Sequence, residues 1–161
     1  MTLTLRRIDR ANWRLAVALK PRPEQQRFVG TPLASLAHAF IRRYGDQYVY
    51  NPGVICDGEQ IVGFYCTLCN AGSTDDFWVD DIMIDARYQG RGYGRAAMTE
   101  IVRSILRDYP QCAAVKLHCN CDNENAARLY LILGFRLTGQ INPEDGQPEY
   151  ELSGPAMRVY R

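Results

Sequence analysis

The stretch Gln-Gly-Arg-Gly-Tyr-Gly, residues 89–94, lies near the middle of the chain, between an apolar run and an amphipathic pattern of helical period. Its three glycines at alternate positions leave successive backbone N–H groups uncovered by side chains. At the N-terminus of a helix, such donors add to the positive end of the helix dipole and bind phosphate oxygens. The stretch therefore predicts an anion-binding loop and favours a nucleotide-derived ligand.

Other motifs also place glycines at this spacing. A Walker A phosphate-binding loop ends in Gly-Lys-Ser/Thr, whereas here Gly94 is followed by Arg95. The permissive dinucleotide fingerprint G-x-G-x-x-A matches Gly92, Gly94 and Ala97. That fold, however, expects an acidic residue about 20 positions later, where Cys112 stands. A tight turn whose glycines bind nothing stays open as well.

Length and composition indicate a single domain. The chain has 161 residues, of which 47% are hydrophobic and 23% are charged, so we expect one soluble domain over residues 1–161. No apolar run approaches the ~18 residues of a membrane span, and the N-terminus lacks a signal-peptide core. A net charge of +1 gives no reason to expect nucleic acid. These features predict a cytoplasmic protein without membrane or nucleic-acid partners, and they leave the oligomeric state open, a homodimer included.

The six cysteines do not predict a metal site. Cys66-x-x-Cys69 and Cys119-x-Cys121 each resemble half of a zinc site, but Cys66 and Cys119 fall inside predicted strands rather than on turns. Disulfides are not expected without an export signal. We expect reduced cysteines packed in the core, and no metal.

The periodicity along the chain predicts an α+β fold around a single mixed, twisted central sheet flanked by helices. The predicted strands cover residues 2–8, 54–56, 61–68, 78–84, 113–118, 135–141 and 157–161, with a polar segment at 142–155. Helices are predicted at 12–20, from 31 to Gly45, from the glycine loop to Pro110, and from 122 or 123 to 133. The second of these helices is expected to bury one apolar face, formed by Leu33, Leu36, Ala37, Phe40, Ile41 and Tyr44.

Two adjacent acids, Asp80 and Asp81, interrupt the apolar strand at residues 78–84. Adjacent strand residues point to opposite faces, so one of the two is expected to face the binding cleft. A carboxylate in so apolar a strand is costly unless it is paired or functional. A salt bridge to an arginine is the structural alternative for either residue.

Three motifs together resemble the GNAT superfamily of N-acetyltransferases: Gln89-x-x-Gly92-x-Gly94, Asn123-x-x-Ala126-x-x-Leu129-Tyr130 and Gly134-Phe135. The resemblance covers the chain from about residue 47 onward. It implies the GNAT-like acyl-CoA N-acyltransferase fold, with acetyl-CoA as the acetyl donor. The acetyl-CoA-binding residues that it implies are Ile82, Met83, Ile84, Gln89, Gly90, Arg91, Gly92, Tyr93, Gly94, Arg95, Asn123 and Tyr130.

The same resemblance implies two catalytic residues. Tyr130 matches the general acid for the departing thiolate, although a core tyrosine is the structural alternative because it shares a helix face with apolar residues. Asp80 matches the carboxylate proposed as the base in polyamine acetyltransferases. A primary ammonium has a pKa of ~10.4 and a carboxylate ~4, so direct proton transfer starts about 6 units, or roughly 8 kcal/mol, uphill. We therefore expect Asp80 mainly to hold the ammonium and to order a water that carries the proton away.

The acceptor is expected to be a small amine, with a polyamine favoured. Residues 26–29, 35–37 and 78–89 resemble bacterial spermine/spermidine acetyltransferases. Asp75, Asp76, Asp80, Asp81 and Asp85 are expected to form an acidic channel for a polycation. His38 stands where an acid is expected in that family, so aminoglycosides, peptide N-termini and other small amines stay open. A non-catalytic acyl-CoA-binding regulatory domain stays open too.

Overall fold

The computed structural model describes residues 3–161 and builds one seven-stranded sheet from them. The strands are β1 (Leu3–Arg7), β2 (Val49–Asp57), β3 (Gln60–Cys69), β4 (Phe77–Ile84), β5 (Ala114–His118), β6 (Arg136–Ile141) and β7 (Pro148–Ser153). The helices are α1 (Trp13–Val17), α2 (Pro32–Ile41), α3 (Tyr93–Asp108) and α4 (Glu124–Ile132), and short 3₁₀ helices cover Pro23–Gln25, Ala86–Tyr88 and Gly154–Tyr160. The order of helices and strands agrees with the predicted one.

The sheet is mixed, as predicted, with the spatial order β1-β2-β3-β4-β5-β7-β6. Its neighbouring strands are antiparallel except for β4 and β5, which run parallel and meet at Trp78 opposite Lys116. A parallel pair needs a crossover connection, which α3 supplies. Beyond that one opposed pair no ladder joins β4 to β5, so the sheet opens toward the carboxyl ends of these two strands.

Helices cover both faces of the sheet. On one face, α3 buries a side of six apolar residues at helical spacing: Ala97, Met98, Ile101, Val102, Ile105 and Leu106. The core on that face also contains Val79 of β4 and Tyr130 of α4. The smaller core on the other face contains Ala16 of α1, Phe64 of β3 and Met83 of β4. Strand β4 is therefore packed on both sides, in the middle of the molecule.

Helix α2 forms where it was predicted, but its expected packing is wrong. Leu33, Phe40 and Ile41 of the predicted buried face are exposed, Phe40 to 89%. The helix instead buries Pro32 and Ser35. Periodicity identifies an apolar side of a helix, whereas the docking of that helix onto the sheet decides which side is covered.

The predicted C-terminal strand is also wrong. Residues 157–161 belong largely to the 3₁₀ helix Gly154–Tyr160, whose Met157 and Tyr160 are buried at the three-residue spacing of such a helix. The last strand, β7, forms earlier, within the segment predicted to be polar. There Tyr150 and Leu152 are buried and alternate with glutamates. The strand period is present, but glutamates occupy the alternate positions and disguise it.

The remaining boundaries differ from the predicted ones by a few residues. Strand β1 begins at Leu3, and Thr2, its predicted first residue, lies outside the described residues. Helix α1 ends at Val17 rather than at residue 20. Such differences are ordinary at the ends of helices and strands.

Candidate active site

Two neighbouring cavities open where β4 and β5 separate. We call the smaller one, of about 390 Å³, the loop cavity, because Gly90, Gly92 and Gly94 line it. The larger one, of about 510 Å³, is called the acidic cavity, because Asp80 and Asp81 line it. The two cavities share lining residues: Phe28, Val29, Ile82, Asn123, Ala126 and Tyr130. A ligand in one cavity can therefore meet a ligand in the other at this junction.

A β-bulge in β4 lies beside the junction. Opposite β3, Val79 pairs with Thr67 and Asp81 pairs with Cys66, which leaves Asp80 as the extra residue of the bulge. A bulge inserts one residue into the strand and re-aims the side chains that follow it. The acids that interrupt the apolar run therefore sit at an irregularity of the sheet.

The side chains of β4 change face at this bulge. Phe77 and Val79 lie in the core under α3, and Ile82 and Ile84 pack against that same core. Regular alternation would have placed residues 77, 79, 81 and 83 together instead. The prediction that the adjacent acids point to opposite faces is therefore wrong, because both line the acidic cavity.

Burial makes both acids harder to ionise. It raises the pKa of Asp80 to about 7, and the charge of Asp81 adds to this shift. The Tyr44 hydroxyl and the Arg43 guanidinium act in the opposite direction. Burial is also the main cause that raises the pKa of Asp81. Among residues 3–161 neither acid forms an ion pair, which leaves the salt-bridge interpretation without support.

The glycine loop forms the N-terminus of α3. Gly92 is the N-cap residue with φ of 84°, and Gly90 has φ of 78°, a region that side chains disfavour. No side chain caps this end of the helix, so its first N–H groups are left for an anion. At Gly94, a Cβ would lie 3.5 Å from Leu129, which shows how closely α4 approaches the loop.

Most of the predicted acetyl-CoA-binding residues line the loop cavity. They are Ile82, Met83, Ile84, Gln89, Gly90, Gly92, Tyr93, Gly94, Asn123 and Tyr130. The Gln89 amide donates hydrogen bonds to the Ile84 carbonyl at 2.9 Å and to Gln25 at 2.7 Å. Gln89 therefore ties the glycine loop to the end of β4.

The arginines are placed differently from the expectation. Arg91 is exposed and lines neither cavity. Arg95 lines a separate depression together with Arg103. The cation that does line the loop cavity is Arg22, in the segment between α1 and α2. Sequence reasoning missed Arg22 because it lies far from the glycines in the chain and belongs to no motif.

Tyr130 lies on α4 at the junction of the cavities. Asn123 starts this helix by accepting a hydrogen bond from the Ala126 N–H at 3.3 Å, and it also lines both cavities. Tyr130 is 8% exposed and packs against Phe135 and Tyr150, with ring centroids 6.0 and 6.2 Å away. Burial raises the pKa of its phenol, so the hydroxyl stays protonated and can donate a hydrogen bond.

Three acids of the predicted acidic channel, Asp75, Asp76 and Asp85, lie outside both cavities, and Asp85 pairs with Arg87 instead. Asp75 is exposed on the loop before β4. Asp76 accepts hydrogen bonds from the Tyr48 hydroxyl and the Trp78 indole, both at 2.8 Å. Burial acts to raise its pKa, but hydrogen bonds from Asn70, Trp78 and Tyr48 hold that pKa below the usual range. Asp76 thus fixes two aromatic side chains in the wall of the acidic cavity.

Two acids that sequence reasoning missed do line the acidic cavity. Glu144 and Asp145 belong to the turn between β6 and β7, at residues 142–147. No Lys or Arg occurs among the described residues that line this cavity. Its wall carries aromatic and imidazole rings: Phe28, Tyr44, Tyr48, Trp78, His38, His118 and Tyr130. Carboxylates and aromatic faces together suit a cationic ligand.

Other candidate sites are few. Residues 3–161 contain no group of three or more His, Cys, Asp or Glu side chains that could hold a metal ion. All six cysteines are free; five are buried as expected, whereas Cys121 is exposed. In this part of the chain no helix is long and apolar enough to cross a membrane.

Residues 7–135 match the model of the acetyltransferase (GNAT) family. The chain belongs to the GNAT family. This assignment and the mixed, helix-flanked sheet confirm the predicted family and fold.

Curated relatives of this GNAT chain differ in how much of it they match. The spermine/spermidine N(1)-acetyltransferase of Bacillus subtilis is 32% identical over 65 residues, which are 40% of this chain and 42% of that protein. The N-alpha-acetyltransferase RimI of Mycobacterium tuberculosis is 33% identical over 118 residues, which are 72% of this chain and 70% of that protein. The chain thus spans less than half the length of the polyamine relative.

A solved structure supports the fold. The crystal structure of the spermidine N-acetyltransferase from Vibrio cholerae, in complex with CoA and spermine, has a TM-score of 0.71 to this chain at 18% sequence identity. The match covers 97% of this chain and 98% of that one. At this identity, the similarity concerns the GNAT fold.

Proposed function

We propose that this GNAT protein is an acetyl-CoA-dependent N-acetyltransferase that acetylates a primary amine by direct transfer in a ternary complex. The proposed acceptor is a polyamine such as spermidine or spermine. The observation that carries the proposal is the junction of the loop cavity with the acidic cavity. One cavity offers backbone donors for phosphate, the other offers carboxylates for a cation, and Tyr130 lines both.

The residues of the loop cavity fit the donor. The uncapped N-terminus of α3 would hold the pyrophosphate oxygens, and Arg22 would add positive charge beside them. Ile82 and Asn123 line both cavities and would therefore lie beside the acetyl end of the donor. Acetyl-CoA supplies an acyl group that is activated as a thioester. A backbone N–H of β4 would stabilise the oxyanion that forms when the amine attacks.

Asp80 would bind the amine and take up its proton, directly or through a water. Its pKa of about 7 narrows the pKa gap to an ammonium of ~10.4 to about 3.4 units, or roughly 5 kcal/mol. Proton transfer from the ammonium to a carboxylate of ordinary pKa would be unfavourable by roughly 8 kcal/mol. The environment of Asp80 therefore supports a larger part in deprotonation than its residue type alone suggests.

Tyr130 would assist the leaving group. The amine nitrogen forms a bond to the acetyl carbon, the carbon–sulfur bond breaks, and the electron pair leaves with sulfur as a thiolate. Because the pKa of Tyr130 is raised by burial, hydrogen-bond donation to the sulfur is favoured over complete proton transfer. Solvent can then supply the proton of the free thiol.

The polyamine acceptor is supported by the charge of the acidic cavity. Asp80, Asp81, Glu144 and Asp145 line it, and a molecule with several ammonium groups could contact more than one of them. Relatives named for spermine and spermidine agree with this acceptor. A peptide N-terminus is the second candidate, since the Mycobacterium relative matches over more of the chain.

Release of CoA thiol across a panel of amines tests the proposal. We expect kcat/KM to be highest for spermidine and lower for octylamine, an aminoglycoside and a peptide with a free N-terminus. The preference should weaken at high salt, because screening acts over ~10 Å at 0.1 M. A clear preference for the peptide would assign the second candidate instead. Binding of acetyl-CoA without thiol release on any amine would indicate a regulatory domain.

A further inference from the structure

An arginine just after α2 reaches the turn between β6 and β7 at the edge of the acidic cavity. The Arg43 guanidinium donates a hydrogen bond to Glu144 Oε2 at 2.7 Å, across 101 residues of sequence. Its other terminal nitrogen lies 3.0 Å from His38 Nε2. His38, Tyr44 and Glu144 all line the cavity. The contact therefore joins two parts of the cavity wall that come from opposite ends of the chain.

Arg43 is a resident cation in a negative environment. The described lining of the acidic cavity contributes carboxylates but no Lys or Arg. The charge of Arg43 nevertheless reaches Asp80, the proposed proton acceptor, because it acts to lower the pKa of that carboxyl. Side-chain exposures of 39% for Arg43 and 57% for Glu144 keep the pair accessible to solvent and to ligands. A cationic group of an acceptor could therefore take the place of the guanidinium.

We propose that Arg43 and Glu144 determine the selectivity of this enzyme for the charge of its acceptor. Glu144 binds the second cationic group of a polyamine whose reacting amine lies at Asp80, and Arg43 is the counter-ion that this group displaces. The inference rests on the proposed function, since it assigns residues to the acceptor of that reaction. A monoamine leaves the ion pair intact. A polyamine exchanges one cation for another at Glu144, and partly exposed ion pairs contribute too little stability to prevent the exchange.

A purely structural ion pair is the alternative. In that case Arg43 only holds the end of α2 against the turn, and losing either partner would loosen the cavity wall. The two alternatives predict opposite effects of one substitution on kcat/KM for a polyamine. A displaced counter-ion predicts that Arg43→Gln improves polyamine use, whereas a structural ion pair predicts that it impairs polyamine use.

The experiment compares kcat/KM for spermidine and octylamine in the wild type, Arg43→Gln, Glu144→Gln and the double variant. We expect Glu144→Gln to lower the spermidine value about 10-fold, mainly through KM, and to leave octylamine within about twofold. Arg43→Gln should raise the spermidine value about 3-fold or more, because it frees Glu144. In the double variant the gain for spermidine relative to octylamine should vanish, since that gain depends on the freed Glu144 carboxylate, whereas the effect of Arg43 on the pKa of Asp80 acts on both amines alike.

Matched controls come from a remote ion pair of the same composition. Arg6 and Glu59 lie 3.7 Å apart and line neither cavity. Arg6→Gln and Glu59→Gln should leave kcat/KM for both amines unchanged. The inference is overturned if Arg43→Gln lowers kcat/KM for spermidine. It is also overturned if Arg43→Gln and Glu144→Gln each change kcat/KM for the two amines by the same factor.

A binding measurement separates this inference from the proposed function. Spermidine is titrated by calorimetry into each CoA-loaded protein. We expect Arg43→Gln to bind spermidine most tightly, the wild type less tightly and Glu144→Gln most weakly. If the wild type releases no thiol with any amine, the proposed function fails, but the order of affinities still decides the inference. Equal affinities in the three proteins overturn it.

Discussion

Asp80 combines a proposed catalytic role with a cost in stability. Burial raises its pKa from an ordinary ~3.9 to about 7. An acid whose pKa is higher in the folded state contributes stability that is fully present below the unfolded pKa. That contribution is lost as the pH rises through the folded pKa. Between about pH 4 and pH 7 this carboxyl should therefore progressively destabilise the protein, while it gains the charge that a proton acceptor needs.

Asp80→Asn should consequently stabilise the protein and inactivate it. The shift of about 3 units sets an upper limit of roughly 4 kcal/mol for the gain at pH 8, and the gain should be smaller at pH 5. Thermal unfolding at both pH values measures it, together with thiol release. Asp75→Asn, on the exposed loop, serves as the control and should change stability by less than about 0.5 kcal/mol. A loss of stability in Asp80→Asn at both pH values would contradict the argument.

Tyr130→Phe should keep the fold and slow the chemical step. The ring that packs against Phe135 and Tyr150 is retained, and only the hydroxyl at the junction is lost. We expect a fall of about 10- to 10⁴-fold in single-turnover rate, the range for losing an acid or an electrostatic contact. Tyr150→Phe is the matched control, because Tyr150 is also buried but lines neither cavity. A wild-type single-turnover rate in Tyr130→Phe would reduce the residue to a packing role.

Helix α3 contributes both to the core and to the proposed binding site for the acetyl donor. Its apolar side is buried under the sheet, while its uncapped N-terminus lines the loop cavity. A substitution at the N-terminus of α3 can change the proposed phosphate binding without disturbing the buried side of the helix. A negative charge at a helix N-terminus favours the helix, but it repels a phosphate bound there.

Gly94→Asp should therefore abolish donor binding without unfolding the protein. We expect micromolar-scale affinity for acetyl-CoA in the wild type and a loss of about 100-fold or more in the variant. Calorimetry measures the affinity, and thermal unfolding checks the fold. Gly72→Asp adds the same charge on an exposed loop, and this control should bind acetyl-CoA with the affinity of the wild type. Unchanged affinity in Gly94→Asp would place the donor elsewhere.

Strand β4 shows how one irregularity of an element creates a site. Without the bulge, Asp80 and Asp81 would lie on opposite faces, and one charge would have to enter the core under α3. With the bulge, both acids line the same cavity, and the charge of Asp81 disfavours the ionisation of Asp80. The raised pKa of Asp80 therefore follows from the shape of the strand as much as from the residue type.

At the scale of the whole molecule, the site exists because β4 and β5 separate. The strands meet at one opposed pair, and the cavities open beyond it. Strand β7 then lies between β5 and β6, which carries the turn with Glu144 to the acidic cavity. On the far side, the segment after α2 brings Arg43 to the same place. Acceptor selectivity, as proposed, is thus a property of the assembled wall rather than of a motif.

Features that depend on neighbouring residues or on a repeating period could be predicted from the sequence. The glycine loop, the helical period of α3 and the order of elements up to β6 all follow from contacts within a few positions along the chain. The family follows from the same local motifs. These features could be predicted because local backbone preferences and side-chain spacing are enough to specify them.

Tertiary structure alone decided the rest. The bulge that turns both acids to one side depends on how β4 pairs with β3, and the exposed apolar side of α2 depends on how that helix docks. Strand β7 forms because it pairs with β5 on one side and β6 on the other, and its alternating glutamates make it hard to recognise in the sequence. The Arg43–Glu144 pair joins residues 101 positions apart. Each of these features rests on contacts between distant segments, and no local propensity or period in the chain encodes such contacts.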